Sequence, residues 1–268
     1  MDSSSHDNMS FLEHLEELRW HIIRSLIAII SAGFICFLMK DFIFDTIIFG
    51  PKKMDFPTYK FLCQAATFIG VETTFCGDEF PFIVQNRTMA GQFSAHVMTS
   101  IISGFIISFP YILYEFWKFI SPGLLEKEKA KSRGFIFISS LLFFIGVLFG
   151  YYIISPLSIN FLGTYQVSSQ VLNEIDLGSF ISLVRSSAIA SGIIFELPII
   201  IYFLTKAGVV TPESLVKYRK YALVLVLVLA AIITPPDVAS QIIVAIPIVV
   251  LYQVSIFISK IVVKNQGK

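Results

Sequence analysis

Long apolar stretches separated by short polar segments dominate the hydropathy pattern of this chain. Each of the first four, with its flanking residues, reaches the roughly 20 residues that a helix needs to cross a hydrocarbon core about 30 Å thick. The last two are shorter, since their apolar parts cover only 12 residues (222–233) and 17 residues (242–258). The pattern predicts six membrane-spanning helices, at residues 21–40, 89–117, 134–156, 178–205, 218–235 and 240–260.

The segments between these helices differ in character. Residues 41–88 contain three prolines, several aromatic residues and two cysteines, and we interpret them as an ordered extramembrane cap with short helices. Ser155 and Pro156 are expected to close the third span, so that residues 157–176 form a loop without Lys or Arg. Ser10 and Glu13 have the spacing of a capping box, which predicts that the first helix begins in water.

The distribution of charge gives an orientation to this pattern. Only 15% of the residues are charged, against roughly 25% in soluble domains, which indicates a membrane protein. If both termini lie on one side, that side carries 14 Lys and Arg residues and the other side carries five. Positively charged loops remain in the cytoplasm. The predicted fold class is therefore an all-α integral membrane protein with both termini in the cytoplasm and short fifth and sixth helices.

Glu196 is the most unusual position in the apolar pattern. A carboxylate in the middle of a membrane costs at least about 2.5 kcal/mol, and such residues usually face a cavity. Pro198 follows two residues later and should kink the helix, because proline cannot donate a backbone hydrogen bond. We interpret Glu196 as the polar group of an intramembrane groove. The alternative is a protonated side chain that hydrogen-bonds to a neighbouring helix.

Two cysteines, Cys63 and Cys76, fall in the predicted extracytoplasmic cap, where disulfides are stable. We expect them to pair, while two unpaired buried thiols remain an alternative. Cys36, in the first span, is interpreted as a packing residue.

Several carboxylates interrupt the otherwise basic cytoplasmic side: Glu13, Glu16, Glu17, Glu126 and Glu128. They can pair with neighbouring Lys and Arg residues, and each such surface pair contributes little stability. Alternatively, two separate carboxylates near the bilayer edge could each bind a guanidinium group in bidentate fashion. Together with an adjoining apolar surface at Phe119 and Leu124, this second arrangement would suit a basic segment followed by an apolar one, as in a signal peptide.

The chain has no motif that is typical of an enzyme. It contains no glycine-rich phosphate loop, nucleophile elbow or zinc motif, and its four histidines lack the spacing of metal ligands. We therefore expect no catalytic residue, no metal, no cofactor and no nucleic-acid partner. A small proton- or ion-coupled secondary transporter that uses Glu196 is the alternative function.

Five motifs occur in order along nearly the whole chain: Phe-Leu-Glu-His-Leu-Glu-Glu-Leu-Arg at 11–19, Tyr-Glu-Phe-Trp-Lys-Phe-Ile-Ser-Pro-Gly-Leu at 114–124 with Glu128, Phe-Glu-Leu-Pro at 195–198, Arg-Lys-Tyr at 219–221, and Thr-Pro-Pro-Asp at 234–237 with Ser240 and Gln241. In combination they resemble TatC, the six-span receptor subunit of twin-arginine protein translocases. The chain departs from the family pattern at Glu115, where the family usually has Gln, and at the two cap cysteines.

The resemblance implies a concave, glove-like bundle and a set of binding residues. Glu17 and Glu128 would bind the paired arginines of a signal peptide, and Glu196 would face the concave groove. The residues that shape the signal-peptide site would be Arg19, Phe119 and Leu124. The residues that dock the single-span partners TatA or TatB would be Thr234, Pro235, Pro236, Asp237 and Gln241.

The resemblance also implies the biological role. The chain would be the receptor and assembly scaffold for export of folded proteins across the bacterial cytoplasmic (inner) membrane, driven by the proton-motive force. Its partners would be twin-arginine signal peptides, TatA or TatB, membrane lipid and further copies of itself.

Overall fold

The computed structural model describes residues 11–70, 74–77, 79–120, 132–168, 170–234 and 238–266. Helices make up most of this part of the chain. The α-helices are α1 Phe11–Leu38, α2 Pro57–Ile69, α3 Gly91–Ile120, α4 Ser132–Phe149, α5 Ser155–Thr164, α6 Leu177–Phe195, α7 Leu197–Lys206, α8 Pro212–Lys217, α9 Arg219–Ile233 and α10 Val238–Gln266. The remaining elements are π-helices at Phe42–Ile48 and Gly150–Ile154, 3₁₀-helices at Gly50–Lys52 and Thr74–Cys76, and the strands β1 Phe82–Gln85 and β2 Asn173–Asp176.

Among the described residues, five helical stretches are long and apolar enough to cross a membrane: His14–Leu38, Gly91–Ile120, Gly134–Thr164, Leu177–Lys206 and Ser240–Lys264. Helix α9 has 15 residues and is therefore about 22 Å long, less than a typical hydrocarbon core. Helix α10 has 29 residues and is longer than the sequence pattern predicts, because the more polar residues that follow its apolar part remain helical. The predicted helical membrane fold is confirmed.

The described chain forms two compact units, one built from α1, α3 and the start of α4, and the other from the remaining elements. In the first unit, α1 and α3 pack closely because glycine allows their backbones to approach. A Cβ atom on Gly104 would lie 2.5 Å from the backbone nitrogen of Gly33. The hydroxyl of Ser108 donates a hydrogen bond of 3.0 Å to the carbonyl of Ala28. Gly104 contacts Gly33, whereas Ser108, later on α3, contacts Ala28, earlier on α1, so the two helices are antiparallel.

In the second unit, small residues join α4 and the second π-helix to α6. A Cβ atom on Gly146 would lie 2.7 Å from the carbonyl oxygen of Ser191, and one on Gly150 would lie 2.3 Å from that of Ser187. Such contacts between small residues are a common basis of helix packing in membranes. A neighbouring apolar core brings α9 and α10 against the same π-helix; its buried residues are Ile154, Val226, Ala230, Val244, Ala245 and Ile248.

The third span does not end where the sequence predicts. Ser155 and Pro156 were expected to close it, but the helix continues as α5 to Thr164, and β2 follows within the expected loop. Pro156 lies in the first turn of α5, where the missing N–H group does not interrupt the hydrogen bonds of the helix. Because the π-helix before it shifts the hydrogen-bond pattern, the hydroxyl of Ser155 donates to the carbonyl of Gly150 at 2.9 Å.

The cap segment of the second unit is anchored by a buried tyrosine. Tyr59 is 0% exposed, and its hydroxyl lies 2.9 Å from the carbonyl oxygen of Pro51 and 3.0 Å from that of Pro156. Burial raises the pKa of Tyr59 above its ordinary value. A disulfide joins Cys63, on α2, to Cys76.

A small sheet was not predicted from the sequence. Strands β1 and β2 pair in parallel, with Phe82 opposite Asn173 and Gln85 opposite Asp176. The guanidinium of Arg87 donates to the carboxylate of Glu174 at 2.8 Å just beyond this ladder. Four residues on each strand give too short an alternating pattern to distinguish a strand from a loop.

Candidate functional site

The N-terminal end of α1 contacts the C-terminal end of α3 through aromatic rings. The imidazole of His14 stacks on Phe119 with 4.5 Å between ring centroids, and His21 meets the same ring edge-on at 6.2 Å. Glu17 lies three residues after His14 and four before His21, so it shares the face of α1 that carries both histidines. The structure thus brings Glu17, which is half-buried, to the same end of the first unit as Phe119. Arg19 is exposed and lies on a different face of α1.

One helical turn before Phe119 lies a buried polar cluster. Glu115 is only 3% exposed, and its Oε2 atom lies 2.5 Å from Nδ1 of His21 and 3.8 Å from Nη1 of Arg24. Because a carboxylate can only accept, Nδ1 of His21 is the donor. These partners offset the desolvation of a charge that would otherwise be costly to bury.

This cluster was not identified from the sequence, although a signal for it exists. Glu115 lies near the end of the second predicted span, and His21 and Arg24 lie near the start of the first. In an antiparallel pair of spans these positions reach the same depth, which would have suggested the contact.

Glu196 lies where one helix ends and another begins. Helix α6 ends at Phe195, and α7 begins at Leu197 with Pro198 in its first turn, so the helix is interrupted at the position where Pro198 predicts a kink. The backbone N–H of Glu196 donates to the carbonyl of Ile193 at 3.1 Å. The Glu196 side chain is buried, at 9% exposure. The position therefore combines a buried acid with an interrupted helix inside the second unit.

The residues expected to dock partners make hydrogen bonds within the chain. The hydroxyl of Thr234 is buried and donates to the carbonyl of Ala230 at 2.8 Å, at the end of α9. The amide of Gln241, on α10, donates to the carbonyl of Leu227 at 3.1 Å and so ties α10 to α9. An open cleft of about 560 Å³ lies beside Thr234, and its polar lining comes mainly from Asp176, Ser179, Ser182 and Ser186.

Other expected site residues lie outside the described residues: Leu124, Glu128, Pro235, Pro236 and Asp237. Within the part of the chain that the structure describes, no group of three or more His, Cys, Asp or Glu side chains is arranged to hold a metal ion.

Comparison with known proteins identifies the family. The family model for TatC, described as Sec-independent protein translocase protein, matches residues 13–247. The TatC protein of a Blattabacterium from Periplaneta americana is 46% identical over 97% of this chain and 98% of its own length. The TatC protein of Aquifex aeolicus is 36% identical over 96% of this chain and 98% of its own length.

Two solved structures show the same fold. A crystal structure of the twin-arginine translocase receptor TatC matches 94% of this chain and 100% of its own chain, with a TM-score of 0.67 and 34% identity. A second crystal structure of this receptor, in the detergent DDM, matches 92% of this chain and 99% of its own, with a TM-score of 0.70 and 36% identity. The matched proteins are transport components rather than enzymes. Because the family model and these relatives each cover most of the sequence, the chain belongs to the TatC family of Sec-independent protein translocase proteins.

Proposed function

We propose that this chain is the receptor and assembly scaffold of a twin-arginine translocase in the bacterial cytoplasmic membrane, with both termini in the cytoplasm. The family assignment and the two solved receptor structures support the role. The excess of Lys and Arg on the side of the termini supports the orientation. The observation that carries the proposal is that Glu17 lies on α1 between His14 and His21, which both contact the ring of Phe119 at the end of α3.

The binding site we propose uses one carboxylate for each arginine of the signal peptide. Glu17 would bind one guanidinium group and Glu128 the other, since planar guanidinium groups fit carboxylates in bidentate fashion. Glu17 forms no ion pair within the described residues, whereas Glu115 is already engaged by His21 and Arg24. Glu17 is therefore the better candidate for an incoming cation. Arg19, Phe119 and Leu124 would shape the rim of the site.

The single-span partners TatA or TatB would dock at the end of α9 and the start of α10. The serine-lined cleft beside Thr234 supports this, because a polar side chain on a partner helix would find hydrogen-bond partners there within an apolar surrounding. Gln241 and the turn formed by Pro235, Pro236 and Asp237 complete the proposed surface. Further copies of the chain would join the same receptor complex, and transport would draw on the proton-motive force.

Glu196 would supply the intramembrane polar group that transport requires. Its burial at a helix break supports a role that depends on polarity rather than on packing. Glu196→Gln keeps a polar side chain of the same shape and should therefore impair export less than Glu196→Leu. Equal export by the leucine variant and the unmodified chain would show that the acid is incidental.

Photocrosslinking of a twin-arginine precursor tests the binding site, and the adjacent glutamates supply a matched pair of variants. Glu17→Ala should abolish crosslinking of the signal peptide to the cytoplasmic end of α1. Glu16→Ala removes the same charge from an exposed position on another face and should leave crosslinking unchanged. Glu128→Lys should be worse than Glu128→Ala, because it adds repulsion to the lost pair. Equal crosslinking in the Glu17→Ala and Glu16→Ala variants would refute the assignment of Glu17.

A further inference from the structure

An open groove of about 650 Å³ lies between α8 and the C-terminal end of α10, within the second unit. Helix α8 is held against α10 by the hydroxyl of Tyr252, which donates to the carbonyl of Leu215 at 2.8 Å. The groove is lined by Pro212, Glu213, Val216, Lys217, Lys260, Val263 and Lys264. It therefore combines three cationic side chains, here called the groove lysines, with an apolar floor and a single acid.

The charges at this groove are predominantly positive. The groove lysines are all exposed, and none of them takes part in the three ion pairs found among the described residues. The segments around the groove, residues 206–220 and 252–266, contain six Lys and Arg residues and Glu213 as the one acid, and three of the six are the groove lysines. A cleft lined by one sign of charge concentrates ions of the opposite sign, so the groove favours an anion.

An exposed apolar stripe on α10 ends at Ile261, next to the groove residue Lys260. Val250, Val254, Phe257 and Ile261 are 56%, 43%, 64% and 43% exposed. Their spacing of four, three and four residues places them on one face of the helix. The stripe and the turn that follows it, up to Lys264, span about 21 Å at 1.5 Å per residue, which exceeds the roughly 15 Å depth of one hydrocarbon leaflet. An acyl chain could therefore lie along it.

We infer that this groove is a binding site for an anionic phospholipid. The groove lysines contact the phosphate and headgroup, and the acyl chains follow the exposed stripe on α10. Basic pockets between membrane helices commonly bind lipids in this way, and each Lys near the headgroups contributes about 1 kcal/mol. A zwitterionic lipid presents the same phosphate but also a cationic group, which the groove lysines repel. The site should therefore select phosphatidylglycerol over phosphatidylcholine.

Native mass spectrometry of the purified full-length chain, after delipidation, tests this inference. Phosphatidylglycerol and phosphatidylcholine are titrated separately, and the fraction of protein that retains lipid is measured. The groove variant carries Lys217→Gln, Lys260→Gln and Lys264→Gln. It should bind phosphatidylglycerol at least about tenfold more weakly than the unmodified chain, with little change for phosphatidylcholine. Glu213→Gln removes the one acid and should strengthen binding of phosphatidylglycerol.

The control variant removes three positive charges from the cap instead, through Lys52→Gln, Lys53→Gln and Lys60→Gln. It should bind phosphatidylglycerol as strongly as the unmodified chain does. Inorganic phosphate and glycerol phosphate at millimolar concentration should not displace the lipid. Displacement would overturn the assignment in favour of a small-anion site. Equal loss of binding in the cap and groove variants, or equal affinity of the unmodified chain for the two lipids, would also overturn it.

Discussion

A double-mutant cycle on His21 and Glu115 should reveal a strong coupling between these two buried side chains. His21→Leu leaves the carboxylate of Glu115, which is only 3% exposed, with the longer contact of 3.8 Å to Arg24. Glu115→Leu leaves the imidazole of His21 without its acceptor. Each single variant should lower the free energy of unfolding by about 2–3 kcal/mol, because a buried polar group loses its partner.

The double variant should be much less destabilised than the sum of the single ones. Replacing both members of a buried ion pair by apolar residues of similar size is often close to neutral, since no charge is left to desolvate. With single losses of about 2–3 kcal/mol each and a double variant close to neutral, the expected coupling free energy is about 4–6 kcal/mol. It can be measured by unfolding the full-length chain in mixed micelles with increasing sodium dodecyl sulfate while helicity is followed by circular dichroism.

A control cycle pairs Glu115→Leu with His96→Leu. His96 also lies on α3 and hydrogen-bonds to the carbonyl of Phe37 at 3.0 Å, but it is 19 residues, or about 28 Å, from Glu115. Distant variants of this kind should be additive within about 0.5 kcal/mol. If the coupling between His21 and Glu115 is no larger than in this control, the buried pair does not hold α1 and α3 together.

Three further predictions concern the second unit and α4. Gly146→Ala should lower the free energy of unfolding by about 1–3 kcal/mol, because its Cβ atom would overlap the backbone of α6. The control Gly134→Ala has no neighbour within 4 Å and should be neutral or stabilising. Equal melting temperatures of the two variants would contradict this prediction. Tyr59→Phe should lower the free energy of unfolding by about 1–3 kcal/mol, because two buried proline carbonyls lose their hydrogen-bond donor. Thermal unfolding would measure this loss. Maleimide should label Cys63 and Cys76 only after the disulfide is reduced. Reduction should lower the free energy of unfolding by about 3 kcal/mol or less. Full labelling before reduction would exclude the bridge.

Features that depend on local sequence could be predicted. The apolar stretches predicted the membrane helices because hydrophobicity and length alone determine whether a segment can cross the bilayer. The helix break at Glu196 could be predicted because Pro198 cannot donate a backbone hydrogen bond, although Pro110 and Pro247 lie within continuous helices and show that proline alone does not impose a break. The contact of Phe119 with His14 and His21 could not be derived in the same way, because the sequence indicates Phe119 only as an apolar neighbour of the loop carboxylates.

Features that depend on register between distant segments could not be predicted. The antiparallel order of the first two spans places His21 and Glu115 at a similar depth and so suggests a contact, but the contact also requires the correct rotation of α1 against α3. The contact of Gly104 with Gly33 that accompanies this alignment has no signature in either helix alone. The continuation of the third span through Pro156 depends on the π-helix before it, which sequence periodicity does not indicate.

The acid and the proline at 195–198 form one structural feature. Because Pro198 interrupts the helix, Glu196 lies at the N-terminal cap of α7, where the carbonyl of Glu196 accepts from the N–H of Ile199 at 2.9 Å. Glu196 is at the same time the C-terminal cap of α6, and its side chain makes no cap hydrogen bond to α7. The partial negative charge at the end of α6 and the partial positive charge at the start of α7 act on the carboxylate with opposite signs. The cost of about 2.5–3.5 kcal/mol for an acid within the membrane must therefore be offset by side-chain contacts or by protonation. The proline places the acid at a helix break but does not remove its need for a polar environment.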